Sequence, residues 1–483
     1  MLSRDFVIVL GGRLAIACIG LIAIRAVTTF LSPEEYGYLA LLLMVQTLCG
    51  MFLVNPVGVY INRHTHQWWG EGTLMSRLKP FRFYVIAVSL VGGIVMFGVA
   101  LASANEHPFL SAFALMLMVV FGTWNATWVP RLNVLGFRLD AVFWGVLTVA
   151  LSLLFSVALM LLGTTATVWF WGQVLGMLVG AAGAGKLMRK YAKTLGHTEV
   201  APAIDFADLM RFSLPLAIGT GFMWLQLSGY RLVVEAYWGL SQLGYITVGL
   251  LLATQIWSVF ESLAMQFLYP YFFKSISDNH LESGERALSD LINVLGPFYL
   301  VLAGLTVVAA PLLVHLLVDS KFSDAVPFVM MGAFIECCRA LANVFGNAAQ
   351  VTKKTLSLAL PYGFGAFVVF SFLFATGLFE AGVIWVGAAL IAGALGMLVV
   401  MVFSMYKQVR FKFKRKSWLI GMFGMILFCV MGFWYGELNT APERFGLVVF
   451  VVLASGLLTF ALLRRNAALT RLLDTQLSGE NGV

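Results

Sequence analysis

The stretch Arg25–Leu41, RAVTTFLSPEEYGYLAL, decides how the chain is read. An apolar run beginning at Phe6 carries Arg25 near its far end, breaks at Ser32-Pro33, shows Glu34 and Glu35, and resumes beyond Tyr36-Gly37. Proline stops a helix and glycine permits a tight turn, so the stretch predicts a hairpin between two apolar helices. About 200 residues later comes an echo, Arg231–Gly249, RLVVEAYWGLSQLGYITVG. The arginine precedes its glycine by twelve positions in the first copy (Gly37) and thirteen in the second (Gly244), and tyrosine adjoins both glycines. An internal repeat that divides the chain into two lobes is expected.

Composition places both copies in lipid. Of 483 residues 60% are hydrophobic and 11% charged, with a mean hydropathy of +0.91, against roughly 25% charged in a soluble chain. Counting runs of about 20 apolar residues gives fourteen spans, from Phe6–Thr29 to Phe445–Leu463, with the seventh at Phe212–Tyr237 and the eighth at Leu243–Tyr269. The expected fold class is therefore an all-α polytopic membrane protein. Five cysteines, an odd number, all sit in apolar runs, so no disulfide framework is implied. The first run shows no small-residue cleavage pattern and is read as a retained span.

Alternate loops separate the charges. One set, with the termini, holds Arg63, Arg77, Lys79, Arg131, Arg138, Lys186, Lys190, Lys274, Lys354 and the run Lys407–Lys416. The other holds only Lys321 and Arg444 beside Glu34, Glu35, Glu106, Asp319, Asp324, Glu380, Glu437 and Glu443. Lysine and arginine are retained on the cytoplasmic side, which puts both termini there. Spans one and seven then start on the same side, so the repeats are parallel. The lobes are residues 1–195 and 196–410, and residues 411–483 add two spans outside the repeat. The basic run KQVRFKFKRKS next to a span is a topology signal that touches anionic headgroups, not a nucleic-acid patch. No phosphate-binding glycine loop, nucleophile elbow or metal-ligand spacing occurs, and no loop could house a catalytic domain, so the chain is not read as an enzyme.

An ionisable residue inside the membrane costs about 3 kcal/mol or more and is a functional candidate by default. Arg13 and Arg25 lie in the first span, about 18 Å apart at about 1.5 Å per residue. Arg231 and Glu235 are four apart in the seventh span and can pair. The eighth carries a polar stripe, Gln255, Ser258, Ser262 and Gln266, with Glu261 beside it as an unpaired carboxylate that could take a coupling proton. Glu336 and Arg339 are three apart in the tenth and can pair. Cavity candidates are thus Arg13, Arg25, Arg231, Arg339, Gln255 and Gln266; ion-coupling candidates are Glu235, Glu261 and Glu336. Arginine exceeds carboxylate by one, and the first lobe contributes arginine alone, a lining suited to an anionic head such as phosphate.

These residues resemble a known family. Arg25-x5-Leu31-x-Pro33-x-Glu35-Tyr36-Gly37, Phe206-Ala-Asp-Leu-Met-Arg-Phe212-Ser-Leu-Pro215-Leu, and Ser228-Gly-Tyr-Arg231 followed by Leu243-Gly244-Tyr245 resemble segments of polysaccharide and lipid-linked oligosaccharide flippases. That family belongs to the multidrug/oligosaccharidyl-lipid/polysaccharide exporter superfamily, and the resemblance covers about residues 1–410. Its members commonly carry Asp-Arg where this chain has Tyr230-Arg231, so Glu235 would have to replace that aspartate. The resemblance implies two six-helix lobes that open alternately and an undecaprenyl-diphosphate-linked oligosaccharide cargo. It also implies movement to the periplasmic leaflet of a bacterial inner membrane for surface polysaccharide such as O-antigen or exopolysaccharide. Polymerase and chain-length proteins are the implied partners. No cofactor is expected beyond H+ or Na+ as coupling ion. Two other readings compete: a cation-coupled drug antiporter, which would favour carboxylates over arginine, and a membrane glycan polymerase, which would need a large outer loop.

Overall fold

A computed structural model describes residues 4–194, 196, 205–277, 281–352, 354–435, 446 and 449–457. Among them every regular element is helical and no strand occurs. Twelve stretches are long and apolar enough to cross a membrane. One of these, Phe206–Met265, is 60 residues long and is broken at Gly239, where φ is 82° and ψ is 169°. Only glycine adopts that backbone readily, and the break separates the expected seventh and eighth spans. Of the fourteenth expected span, only residues 446 and 449–457 are described. Outward-facing Ile94, Phe109 and Phe403 are each at least 67% exposed; such apolar surface is what lipid requires of a spanning helix. The chain is an all-α polytopic membrane protein.

Packing divides the chain into two compact units, residues 1–244 and 245–483. In the first, Arg4–Phe30 lies mainly along Arg138–Leu159. The hairpin that follows is held at several points. Ser32 caps Pro33–Thr47 by accepting from the Glu35 backbone N–H at 3.2 Å, with Pro33 at the start of the helix. The Glu35 carboxylate accepts from the Ala166 backbone N–H at 2.6 Å, placing an anion at the N-terminus of Ala166–Thr194. Tyr38 donates to Ser111, whose hydroxyl pairs with Thr167, each at 2.9 Å. The second span then passes through a π-helical segment, Leu48–Val54, before Asn55–Gly70. Phe206–Trp224 packs along residues 48–70, so it belongs to the first compact unit, which ends at Gly244 and not at the expected lobe boundary near residue 195.

In the second unit Leu281–Leu317 is the central helix, with Val326–Gly346 and Arg415–Tyr435 on it. Ala359–Leu378 pairs with Ile384–Tyr406, which in turn packs on Val326–Gly346. The basic run is clipped rather than loose. The backbone N–H groups of Arg410, Lys412 and Lys414 donate to Glu285, Ser289 and Asn293, three side chains spaced by four residues on one helix face. Val409 and Phe411 point inward and are buried, while Arg410, Lys412 and Lys414 are exposed.

Candidate functional site

In the first unit, the two glycines of the repeat meet. A Cβ at Gly37 would overlap the carbonyl of Leu240, and one at Gly244 would overlap the carbonyl of Pro33. Helices approach this closely only where small residues let backbone touch backbone. One turn further along, Arg231 donates through Nη1 to the carbonyl of Ala40 at 3.1 Å. Trp224 donates through Nε1 to the carbonyl of Met44, also at 3.1 Å. Arg231 and Trp224 stand on opposite sides of a second π-helical segment, Leu225–Gly229; such insertions recur at functional sites. Arg231 does not pair with Glu235: among the described residues no ion pair joins them, and Glu235 is half-buried. The expectation of an i, i+4 pair is corrected because a backbone carbonyl of Pro33–Thr47 takes the guanidinium instead.

A cavity of about 420 Å³ lies wholly inside the first unit, with Gln46, Asn55, Asn62, Thr123, Thr127 and Arg131 on its walls. Asn55 and Asn62 are exposed at its rim; Arg131, Thr123 and Thr127 are buried. Arg131 is 3% exposed. Its Nη1 donates to the carbonyl of Thr127 at 2.6 Å, and its Nε has no partner. The loop position expected for Arg131 is corrected: helix Pro108–Val134 runs through Pro130 and carries Arg131 into the interior. The apolar residues after it, Leu132 and Val134, were the signal that the span continues. Arg13 and Arg25, by contrast, lie on the exposed side of the first helix and do not line this cavity.

A second cavity of about 420 Å³ lies inside the second unit, walled by Glu261, Tyr269, Tyr299, Asn343, Asn347 and Tyr362. Arg339 sits between two carboxylates, with Nη2 at 2.5 Å from Glu261 and Nε at 2.6 Å from Glu336. Asn343 donates to the other oxygen of Glu261 at 3.3 Å, and Thr254 donates to Glu336 at 2.7 Å. The expected Glu336–Arg339 proximity is present, but Glu261 is not unpaired. Arg339, 78 positions away in the chain, takes it up. Two carboxylates on one guanidinium leave the group one negative charge in excess, which a single bound cation or proton would cancel. Gln255 is half-buried outside the cavity lining, and the Gln266 side chain lies outside the described residues.

No family profile matches the chain, and no curated protein sequence does. Solved structures do. A lipid II flippase, MurJ, in an inward closed conformation is 14% identical, with a TM-score of 0.69 over 94% of this chain and 98% of that one. An inward-facing multidrug resistance MATE family transporter of the MOP superfamily is 12% identical, with a TM-score of 0.55 over 80% and 93%. A MOP superfamily transporter from Pyrococcus furiosus is 12% identical, with a TM-score of 0.52 over 88% and 95%. The chain has the fold these proteins share, and the expectation of that fold from the resemblance is met.

Proposed function

We propose that this chain is a transporter that flips a diphosphate-linked oligosaccharide repeat unit from the cytoplasmic to the periplasmic leaflet of a bacterial inner membrane. Both termini would be cytoplasmic, and surface polysaccharide biosynthesis would be the process served. The observation that carries the reading is the sign of the intramembrane charge. Within the six apolar spans expected for the first lobe the charged residues are Arg13, Arg25 and Lys186, all basic; helix Pro108–Val134 adds Arg131, and no carboxylate lines the Arg131 cavity. Arginine forks fit phosphate oxygens in pairs, whereas a cationic drug would meet repulsion there. The likeness to the lipid II flippase supports the same reading. It leaves only about 6% of this chain uncovered, less than the segment beyond residue 410, so that fold comparison extends into the C-terminal spans.

Alternating access would carry the cargo, with Arg25 and Arg231 as cationic contacts along the path. The Glu261–Arg339–Glu336 group would take the coupling ion, H+ or Na+. The test is made in cells lacking the protein, by quantifying lipid-linked oligosaccharide and its exposure on each side of the inner membrane. A complete repeat unit held on the cytoplasmic face, with surface polysaccharide lost, is the expected result. Unchanged lipid-linked glycan with raised drug sensitivity would favour an antiporter, and exported but unpolymerised units a polymerase.

A further inference from the structure

We infer that the Arg131 cavity binds the phosphate group of a headgroup or free anion, at a site contained within the first unit alone. The proposal deepens the flippase reading by giving the cargo's phosphate a docking point, and rests on it only for the source of that phosphate.

Charge comes first. A guanidinium is never deprotonated in a protein and carries five N–H donors in a rigid fork. At Arg131 this group is withdrawn from solvent to 3% exposure, yet its Nε is unpartnered and its one described acceptor is the Thr127 carbonyl. No carboxylate forms an ion pair with it among the described residues. A buried charge without a counter-charge is expensive. By comparison, Arg339 is less deeply buried and yet has two carboxylates within 2.6 Å.

The surroundings come next. The cavity in front of Arg131 is large enough for a diphosphate, and the rest of its polar lining is neutral: Gln46, Asn55, Asn62, Thr123, Asn125 and Thr127. These can hydrogen-bond to anionic oxygens or hydroxyls without repelling them. The side-chain oxygen of Gln46 is likewise buried without a partner. Gly50, Gly58 and Gly122 line the same space, and a Cβ on Gly58 would meet nothing within 4 Å. The volume is therefore kept open by absent side chains as well as by polar ones.

Binding of farnesyl diphosphate to the purified full-length protein in detergent tests the site, with farnesol as the uncharged control. The wild type should bind the diphosphate and discriminate against farnesol. Arg131→Ala should weaken diphosphate binding at least tenfold. Because that variant could fold poorly, Gly58→Leu provides an independent test. It fills open space without touching the arginine, should unfold at the wild-type temperature, and should also weaken binding at least tenfold. Displacement by inorganic pyrophosphate would show that the phosphates alone suffice; no displacement would show that a lipid-borne phosphate is required. Both results support the site. Equal affinity in wild type and both variants, or no binding by the wild type, overturns it. A failure here leaves the flippase reading standing, and a normal distribution of lipid-linked glycan in deleted cells would remove that reading while leaving the site.

Discussion

Gly37 and Gly244 are reciprocal partners in one helix crossing: each lies against the backbone carbonyl four residues before the other, Leu240 for Gly37 and Pro33 for Gly244. The two copies of the sequence repeat therefore meet at equivalent points, with no side chain between them. Neither contact can yield by rotating a side chain. Gly37→Ala and Gly244→Ala should each destabilise the protein by about 1–3 kcal/mol, the usual range for overpacking. Unfolding in mixed micelles measures this, and wild-type stability in both variants would show that the crossing is looser than described.

Close to that crossing, Trp224 and Arg231 hold the carbonyls of Met44 and Ala40. Trp224→Phe keeps an aromatic side chain but removes the donor and part of the buried ring, and should cost at least about 1 kcal/mol. Arg231→Ala should reduce glycan export while membrane abundance stays unchanged, and Arg25→Ala should do the same from the first span. Wild-type export in both arginine variants would remove the cationic path from the account.

The Glu261–Arg339–Glu336 group predicts a pronounced asymmetry. Arg339→Met leaves two carboxylates facing each other in a partly buried site and should cost about 3–5 kcal/mol, read as loss of folded protein from the membrane. Adding Glu261→Gln and Glu336→Gln should recover much of it, because no charge then remains uncompensated. Glu261→Gln alone leaves a neutral group, so transport should persist without dependence on an H+ or Na+ gradient. Dependence retained in that variant would move the coupling site elsewhere.

Asn293 ties the basic run to the central helix of the second unit. Its Nδ2 donates to the Lys412 carbonyl at 2.7 Å, and its Oδ1 accepts from the Lys414 N–H at 2.7 Å and from Trp418 Nε1 at 3.3 Å. Asn293→Leu should free residues 407–416 and raise their rate of cleavage by trypsin several-fold in detergent. An unchanged rate would mean that the ladder to Glu285 and Ser289 suffices.

Much of this architecture is legible without coordinates. Long apolar runs and the break at Ser32-Pro33 carry the helices and the first turn, because lipid tolerates little else. The tight turns expected at Gly37 and Gly244 are corrected, since both glycines lie inside helices where backbone meets backbone, and the second break falls at Gly239 instead. The pairing of Glu336 with Arg339 is also local. The partners that escape a linear reading are distant in the chain: Glu261 finds Arg339 across 78 positions and Arg231 finds Ala40 across 191. Arg131 was hidden for another reason. A basic residue near the end of an apolar run looks like the start of a loop, and only the packed helix shows it turned inward. The π-helical segments leave no sequence signature that periodicity detects.

The central claim is movement of a diphosphate-linked glycan across the bilayer, and it is tested most directly in proteoliposomes. Purified protein would be reconstituted with a lipid-linked oligosaccharide, and the fraction open to a membrane-impermeant glycosidase measured over time. The account predicts that the protected inner-leaflet fraction falls with protein present, and that Arg231→Ala slows the fall. A protected fraction identical with and without protein, under an imposed H+ or Na+ gradient, would contradict it.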